Sequence, residues 1–283
     1  MTSRPAQPGL LLLAPVVILF ALFLLAPLAV MVPTSLRPYD ASTGIAAGWT
    51  AENYAKVLLD PFYLEILART IGIGLLVAAI CLVVCWPYAA LIVRSPPNLK
   101  AVLILIIIFP MMIDVVVRSF GWIVLLANRG LVNDALQAIG LTRTPIKLIF
   151  DFSGLVIGMV HLMFPFMTLL LSAAIKAIPA DVENASATLG SSPAATFFNV
   201  TVPLAMPGIV AGSVLVFVLT ISTMITPRLL GGPTYRVMAT TIYDEFIQLL
   251  NWPMGAALSV VLTVLVLGLV ALSGRLTRRW AVR

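Results

Sequence analysis

Long apolar runs separated by short polar stretches make up most of the chain. Six of them, residues 10–32, 66–93, 101–126, 152–175, 204–225 and 254–273, exceed the roughly 18 residues that a helix needs to cross a hydrocarbon core of about 30 Å. Backbone polar groups in lipid must be satisfied within the structure, which leaves helices or a closed barrel. Barrel strands alternate apolar and polar positions, whereas residues 103–108 are apolar without a break. The pattern predicts an all-α integral membrane protein with six transmembrane helices. The first run is longer than the apolar stretch of a cleaved signal and passes Pro27 and Pro33 without a small-residue cleavage site, so it reads as a retained helix.

Composition removes the soluble alternative. Of 283 residues, 61% are hydrophobic and 10% charged, against about 25% charged in a soluble domain, and the mean hydropathy is +1.11. The net charge of +6 is unevenly placed. With both termini inside, the inner segments hold eight basic residues (Arg4, Arg94, Lys100, Lys176, Arg275, Arg278, Arg279 and Arg283) against Asp181 and Glu183. Short loops and helix ends rich in Lys and Arg stay cytoplasmic. Both termini are therefore expected in the cytoplasm, and the positive charge acts on orientation. The basic residues are scattered and no groove-reading motif accompanies them, so no nucleic-acid partner is expected. Cys81 and Cys85 lie four apart on the second run without a nearby His and read as small packing residues rather than a metal site.

The polar stretch between the fourth and fifth runs, residues 179–208, is dense in helix signals. Asp181 is placed to cap a helix that Gly190 closes, and Val182, Ala185 and Leu189 fall on one face. Ser192 with Pro193 starts a second helix, and Pro203 and Pro207 reset the chain before the fifth run. A helix of about eight residues is marginal alone in water, so this one needs packing from a partner or from the bundle. Residues 133–140 carry a second short amphipathic pattern, with Asn133 at its start and Gly140 at its end. Trp49, Tyr54, Phe62 and Tyr63 mark the first outer loop as interfacial.

The 179–203 loop resembles the signature of the permease subunits of binding-protein-dependent ABC importers. In that signature, three residues separate Glu-Ala-Ala from Gly, and nine separate that Gly from Ile-x-Leu-Pro. Here Asn184-Ala185-Ser186 stands in the first position, then Leu189-Gly190, and Val200, Thr201, Val202 and Pro203 close it; Asn184 replaces the glutamate, with Glu183 just before it. Arg118-Ser-Phe-Gly-Trp122, Asn133, Pro165-Phe166, Thr226-Pro227 with Gly231-Gly-Pro233, and Asn251-Trp-Pro253 with Gly255-Ala-Ala are similar to the spermidine/putrescine-type permeases. The resemblance implies the type I importer permease architecture. Residues 1–283 would form one permease domain, with a core over 66–275, the coupling loop at 179–203 and an added N-terminal helix at 10–32. It implies docking of an ATPase on Asp181, Glu183, Asn184, Ala185, Ser186, Leu189, Gly190 and Pro203. It further implies a second permease subunit, two ATPase subunits carrying ATP and Mg, and a periplasmic binding protein, all in a bacterial inner membrane. The chain holds no Gly-x-x-x-x-Gly-Lys-Ser/Thr phosphate loop, so it is expected to bind no nucleotide and to be no enzyme by itself.

Polar residues within the spans are costly and usually face a bundle interior or water. Asp114 and Arg118 lie four apart in the third run, with Trp122 on the same face; they read either as contacts in a translocation path or as an internal ion pair. Thr220, Thr223 and Thr226 are further path candidates, and Asp244 and Glu245 are candidates for an outer gate. His161 reads as a packing residue. Polyamine permeases often carry an acid three residues before the Thr-Pro, where this chain has Thr223. A polyamine or related amine, an amino-acid-like compound and an organic anion all stay open as the solute. The competing reading is a self-sufficient secondary transporter, which would show paired inverted repeats.

Overall fold

The computed structural model describes residues 7–233 and 235–281, the side chains of 7–12, 180 and 276–281 excepted. Arg4 and Arg283, two of the residues in the orientation argument, lie outside the described residues. The described residues form helices and turns without strands. The helices are α1 (Gln7–Ser35), α2 (Glu52–Leu59), α3 (Pro61–Arg94), α4 (Pro97–Met111), α5 (Val115–Leu126), α6 (Leu131–Ala138), α7 (Phe152–Lys176), α8 (Ala180–Thr188), α9 (Pro193–Thr196), α10 (Val202–Ser222), α11 (Met238–Tyr243) and α12 (Trp252–Ala281). Among the described residues, six helical stretches are long and apolar enough to cross a membrane: Leu13–Ser35, Pro61–Arg94, Val115–Ala138, Phe152–Lys176, Pro193–Ser222 and Trp252–Arg275.

The chain divides into two compact units, Met1–Leu64 with Ile242–Val264, and Glu65–Thr241 with Leu265–Arg283. In the second unit α7 supplies the core. Leu155, Met159, Met163, Met167 and Leu171 recur every fourth residue and are almost wholly buried, a spacing that puts them on one helical face. Small residues let its neighbours approach, as membrane helices require where the hydrophobic effect no longer draws helices together. A Cβ added to Gly208 of α10 would lie 2.2 Å from the Ala174 side chain, and one on Gly74 of α3 would lie 2.7 Å from Ile221. Cys81 and Cys85 pack against α7 as expected, their thiols directed at the carbonyls of Val160 (3.7 Å) and Phe164 (3.6 Å).

In the first unit Asn53 holds the loop after α1. Its buried side-chain amide donates to the carbonyls of Ser35 (2.9 Å) and Arg37 (2.8 Å). Beside it the Ser35 and Tyr54 hydroxyls lie 2.6 Å apart. Tyr54, expected as an interfacial anchor, thus also secures the loop.

Three local expectations are corrected. The run 101–126 is not one helix: α4 ends just past Pro110, and α5 begins where the Asp114 carboxylate accepts from the Val116 amide at 2.8 Å. A short acidic side chain capping a new helix start explains the break. Pro203 and Pro207 do not reset the chain. A π-helical turn over Phe197–Thr201 leads straight into α10, and the Val202 amide bonds the Phe197 carbonyl five residues back. The wider turn accommodates Pro203, which has no amide hydrogen to give. Asn133 does not cap α6. Gly130 stands at that position, while Asn133 is buried, donating to the carbonyls of Ala127 and Ile146 (3.0 Å each) and accepting from the Ile146 amide (2.8 Å). Gly140 does end α6, at φ +75°, a conformation open to glycine.

Candidate functional site: the elbow between α7 and α10

α8 and α9 form an elbow within the second unit. Pro179, not Asp181, stands at the N-cap of α8; Asp181 lies in the first turn, where a negative charge suits the helix dipole. Gly190 closes α8 at φ +83°, and the Ser191 amide reaches back to the Ser186 carbonyl at 3.2 Å. Ser192 caps α9 as expected, accepting from the Ala195 amide at 3.2 Å.

The two faces of α8 differ. Inward, Glu183 accepts from the hydroxyl of buried Thr201 at 2.8 Å and pairs with Arg94, at the end of α3, at 3.4 Å. One turn on, the Ser186 hydroxyl lies 3.0 Å from that of Thr196. A cavity of about 350 Å³ opens beside these contacts, lined by Arg94, Glu183, Thr196, Phe197 and Thr201 among others. Outward, the predicted stripe Val182, Ala185 and Leu189 is exposed, Leu189 at 87%, and Asn184 and Gly190 lie beside it. Nothing lies within 4 Å of a Cβ built on Gly190. The elbow is a short helix latched on its polar side with an apolar side uncovered. Of the predicted docking residues, Glu183 and Ser186 face inward, and Pro203 is an exposed position at the start of α10. Arg94 and Thr201 were missed as partners of Glu183, because no local spacing joins residues so far apart in sequence.

Residues 44–280 match the family described as Binding-protein-dependent transport system inner membrane component. The chain belongs to that family. It is a permease of a binding-protein-dependent ABC importer, and the secondary-transporter reading falls away. The permease is 32% identical over 251 residues to the spermidine/putrescine transport system permease protein PotB of Salmonella typhimurium (strain LT2), covering 89% of this chain and 87% of that one. It is equally identical, at 32%, to PotB of Escherichia coli (strain K12), over 89% of this chain and 90% of that one. The permease shares its fold, at a TM-score of 0.77 and 18% identity, with a chain of a bacterial alginate ABC transporter in complex with alginate pentasaccharide-bound periplasmic protein, covering 95% of this chain and 93% of that chain.

The path candidates of the permease are only partly brought together. The Trp122 indole donates to His161 Nδ1 at 3.2 Å, joining α5 to α7; His161 is thereby a partnered packing residue. Asp114 and Arg118 form no ion pair within 4.0 Å among the described residues, because the Asp114 carboxylate caps α5. Arg118 is half-buried, and its Nε has no hydrogen-bond partner among them. Thr220 is buried with its hydroxyl unpartnered among the described residues. The Thr223 hydroxyl bonds back to the Leu219 carbonyl at 2.7 Å. Thr226 is buried, its methyl 3.1 Å from where a Cβ on Gly158 would stand. Of the outer-gate pair, Asp244 is half-buried and Glu245 fully buried, in the π-helical turn Asp244–Gln248. Burial pushes the Glu245 carboxyl up from the usual range; the Tyr63 hydrogen bond opposes this and the nearby Asp244 charge adds to it. Among the described residues no group of three or more His, Cys, Asp or Glu is placed to hold a metal ion.

Proposed function

We propose that this permease forms half of the translocation path for a polyamine or related small amine in the bacterial inner membrane, with both termini cytoplasmic. A second permease subunit completes the path, two ATPase subunits dock below, and a periplasmic binding protein delivers the solute. ATP and Mg belong to the ATPase subunits, and this chain binds no nucleotide. Residues 1–283 act as one permease domain, with a core over 66–275 and the span at 10–32 added to it; the family match, which begins at residue 44, fits that division.

The observation that carries the coupling role is the exposed Leu189 at the tip of a helix whose other face is latched by Glu183. An apolar side chain so exposed on a braced helix is suited to fill a cleft in a partner. Closure of the ATPase pair on ATP pulls α8, and the Glu183 contacts pass that motion to α3 and α10. The amine reading rests on the relatives named for spermidine and putrescine. Arg118, Trp122, Thr220, Thr223 and Thr226 remain the path candidates, and Asp244 and Glu245 the outer gate. Asp114 serves α5 as its cap.

Reconstitution tests the proposal. Proteoliposomes holding this chain, its permease partner and the ATPase pair should accumulate putrescine only with ATP inside and the binding protein outside. Accumulation by this chain alone, or import of a carboxylate solute with no amine import, would overturn it.

A further inference from the structure

One carboxylate of the first unit has no ion pair among the described residues. Glu245 is 6% exposed. One of its oxygens accepts from the Tyr63 hydroxyl at 3.1 Å, and the other, itself buried, has no hydrogen-bond partner among the described residues. The described basic side chains of that unit are used elsewhere: Lys56 pairs with Glu52 at 2.8 Å, and Arg37 lies over the Trp49 ring at 4.9 Å. The groups acting on the Glu245 carboxyl are Tyr63 and Asp244, with no cation among them. A buried carboxylate with an idle oxygen is costly unless something cationic reaches it.

The surroundings hold the turn that carries Glu245. The Asn251 amide donates to the Glu245 carbonyl at 2.8 Å. Between them Leu250 is kept at φ +52°, a strained backbone for a residue with a Cβ and one that clusters at functional sites. The Tyr63 ring packs edge-on against Phe62, centroids 5.1 Å apart. An aromatic ring beside an acid is the pairing that recognises alkylammonium groups.

We propose that Glu245, with Tyr63, is a transient seat for one primary ammonium group of the solute, its free oxygen accepting an N–H from the amine as it passes. This rests on the amine reading above. Asp244 adds negative field beside the seat. The seat supplies within this chain the negative charge that Thr223 does not.

The test uses the assembled importer in proteoliposomes with putrescine as probe, comparing wild type with Glu245→Gln, Glu245→Asp and Tyr63→Phe. Putrescine uptake should fall at least about tenfold in Glu245→Gln, the factor set by losing one hydrogen bond between charged groups. ATP hydrolysis stimulated by the loaded binding protein should stay within about twofold of wild type, Glu245→Asp should recover most uptake, and Tyr63→Phe should lose less than Glu245→Gln. Wild-type uptake in Glu245→Gln overturns the seat alone. A parallel fall in uptake and stimulated hydrolysis also overturns it, leaving Glu245 an outer-gate residue that seats no amine. A wild-type importer that moves no putrescine overturns the amine reading and the seat with it. On the wild type, labelling of Glu245 by an apolar carbodiimide should be suppressed by putrescine and not by equimolar sodium chloride. Labelling indifferent to putrescine, or suppressed equally by sodium, counts against the seat.

Discussion

Glu183 and Glu245 are both acids set against a hydroxyl, and their remaining oxygens differ. At the elbow, Thr201 donates to one Glu183 oxygen and Arg94 pairs with the other, so the carboxylate joins α8 to α10 and α3. In the turn Asp244–Gln248, Tyr63 donates to one Glu245 oxygen and the other has no described partner. A carboxylate with both oxygens engaged acts as a fastener. One that is buried with an idle oxygen is suited to receive a ligand. Three substitutions at the elbow, together with the Glu245 variants, probe that contrast.

The largest effect is expected from Gly190→Asp. The site has open space, so the fold should survive, at a cost of about 1 kcal/mol for a side chain at positive φ. A charge beside Leu189 should nevertheless reduce binding-protein-stimulated ATP hydrolysis and transport more than tenfold, whereas Gly190→Ala should cost far less. Unchanged stimulation in Gly190→Asp would remove the docking role. Next comes Thr201→Val. It keeps the shape and removes the donor to Glu183, leaving a half-buried acid short of a partner at about 1–3 kcal/mol. Transport per ATP should drop several-fold while the complex still assembles. If the ratio holds and only thermal stability falls, the latch is structural and does not transmit motion.

Arg94→Met should do least. The Arg94 side chain is 68% exposed at a 3.4 Å contact, and exposed pairs are worth about 0–1 kcal/mol and weaken with salt. Less than a twofold change in transport is expected, vanishing at high salt. A larger loss would mean that Arg94 also meets another subunit. Against these, Glu245→Gln should leave ATP hydrolysis intact while lowering uptake, unlike Gly190→Asp, which should lower both.

Apolar run length announced the spans, yet it did not tell α1 from α7. The α1 stretch has a mean hydropathy of 2.8 with none of it buried, and the α7 stretch has 2.0 with 50% buried. Lipid and a neighbouring helix are equally apolar, so burial depends on which helices offer small residues, such as Gly208 facing Ala174. The elbow was legible because its signals are local. Gly190 supplies the positive φ that ends α8, and Ser192 with Pro193 starts α9. Asp114 reads two ways for a local reason: an acid in an apolar run suits a path contact or an ion pair, and its place as the cap of the helix that follows shows only in the structure.

The residue order by itself determined that the chain spans a membrane, where its long apolar stretches lie, and that a capped elbow interrupts them, because hydropathy and capping act within a few residues. Only the tertiary structure decided which side of α8 is latched, that Arg94 and Thr201 are what it is latched to, and that Tyr63 answers one oxygen of Glu245 and not the other. Those contacts join residues from 18 to 182 positions apart, and at such separations only packing brings the partners together.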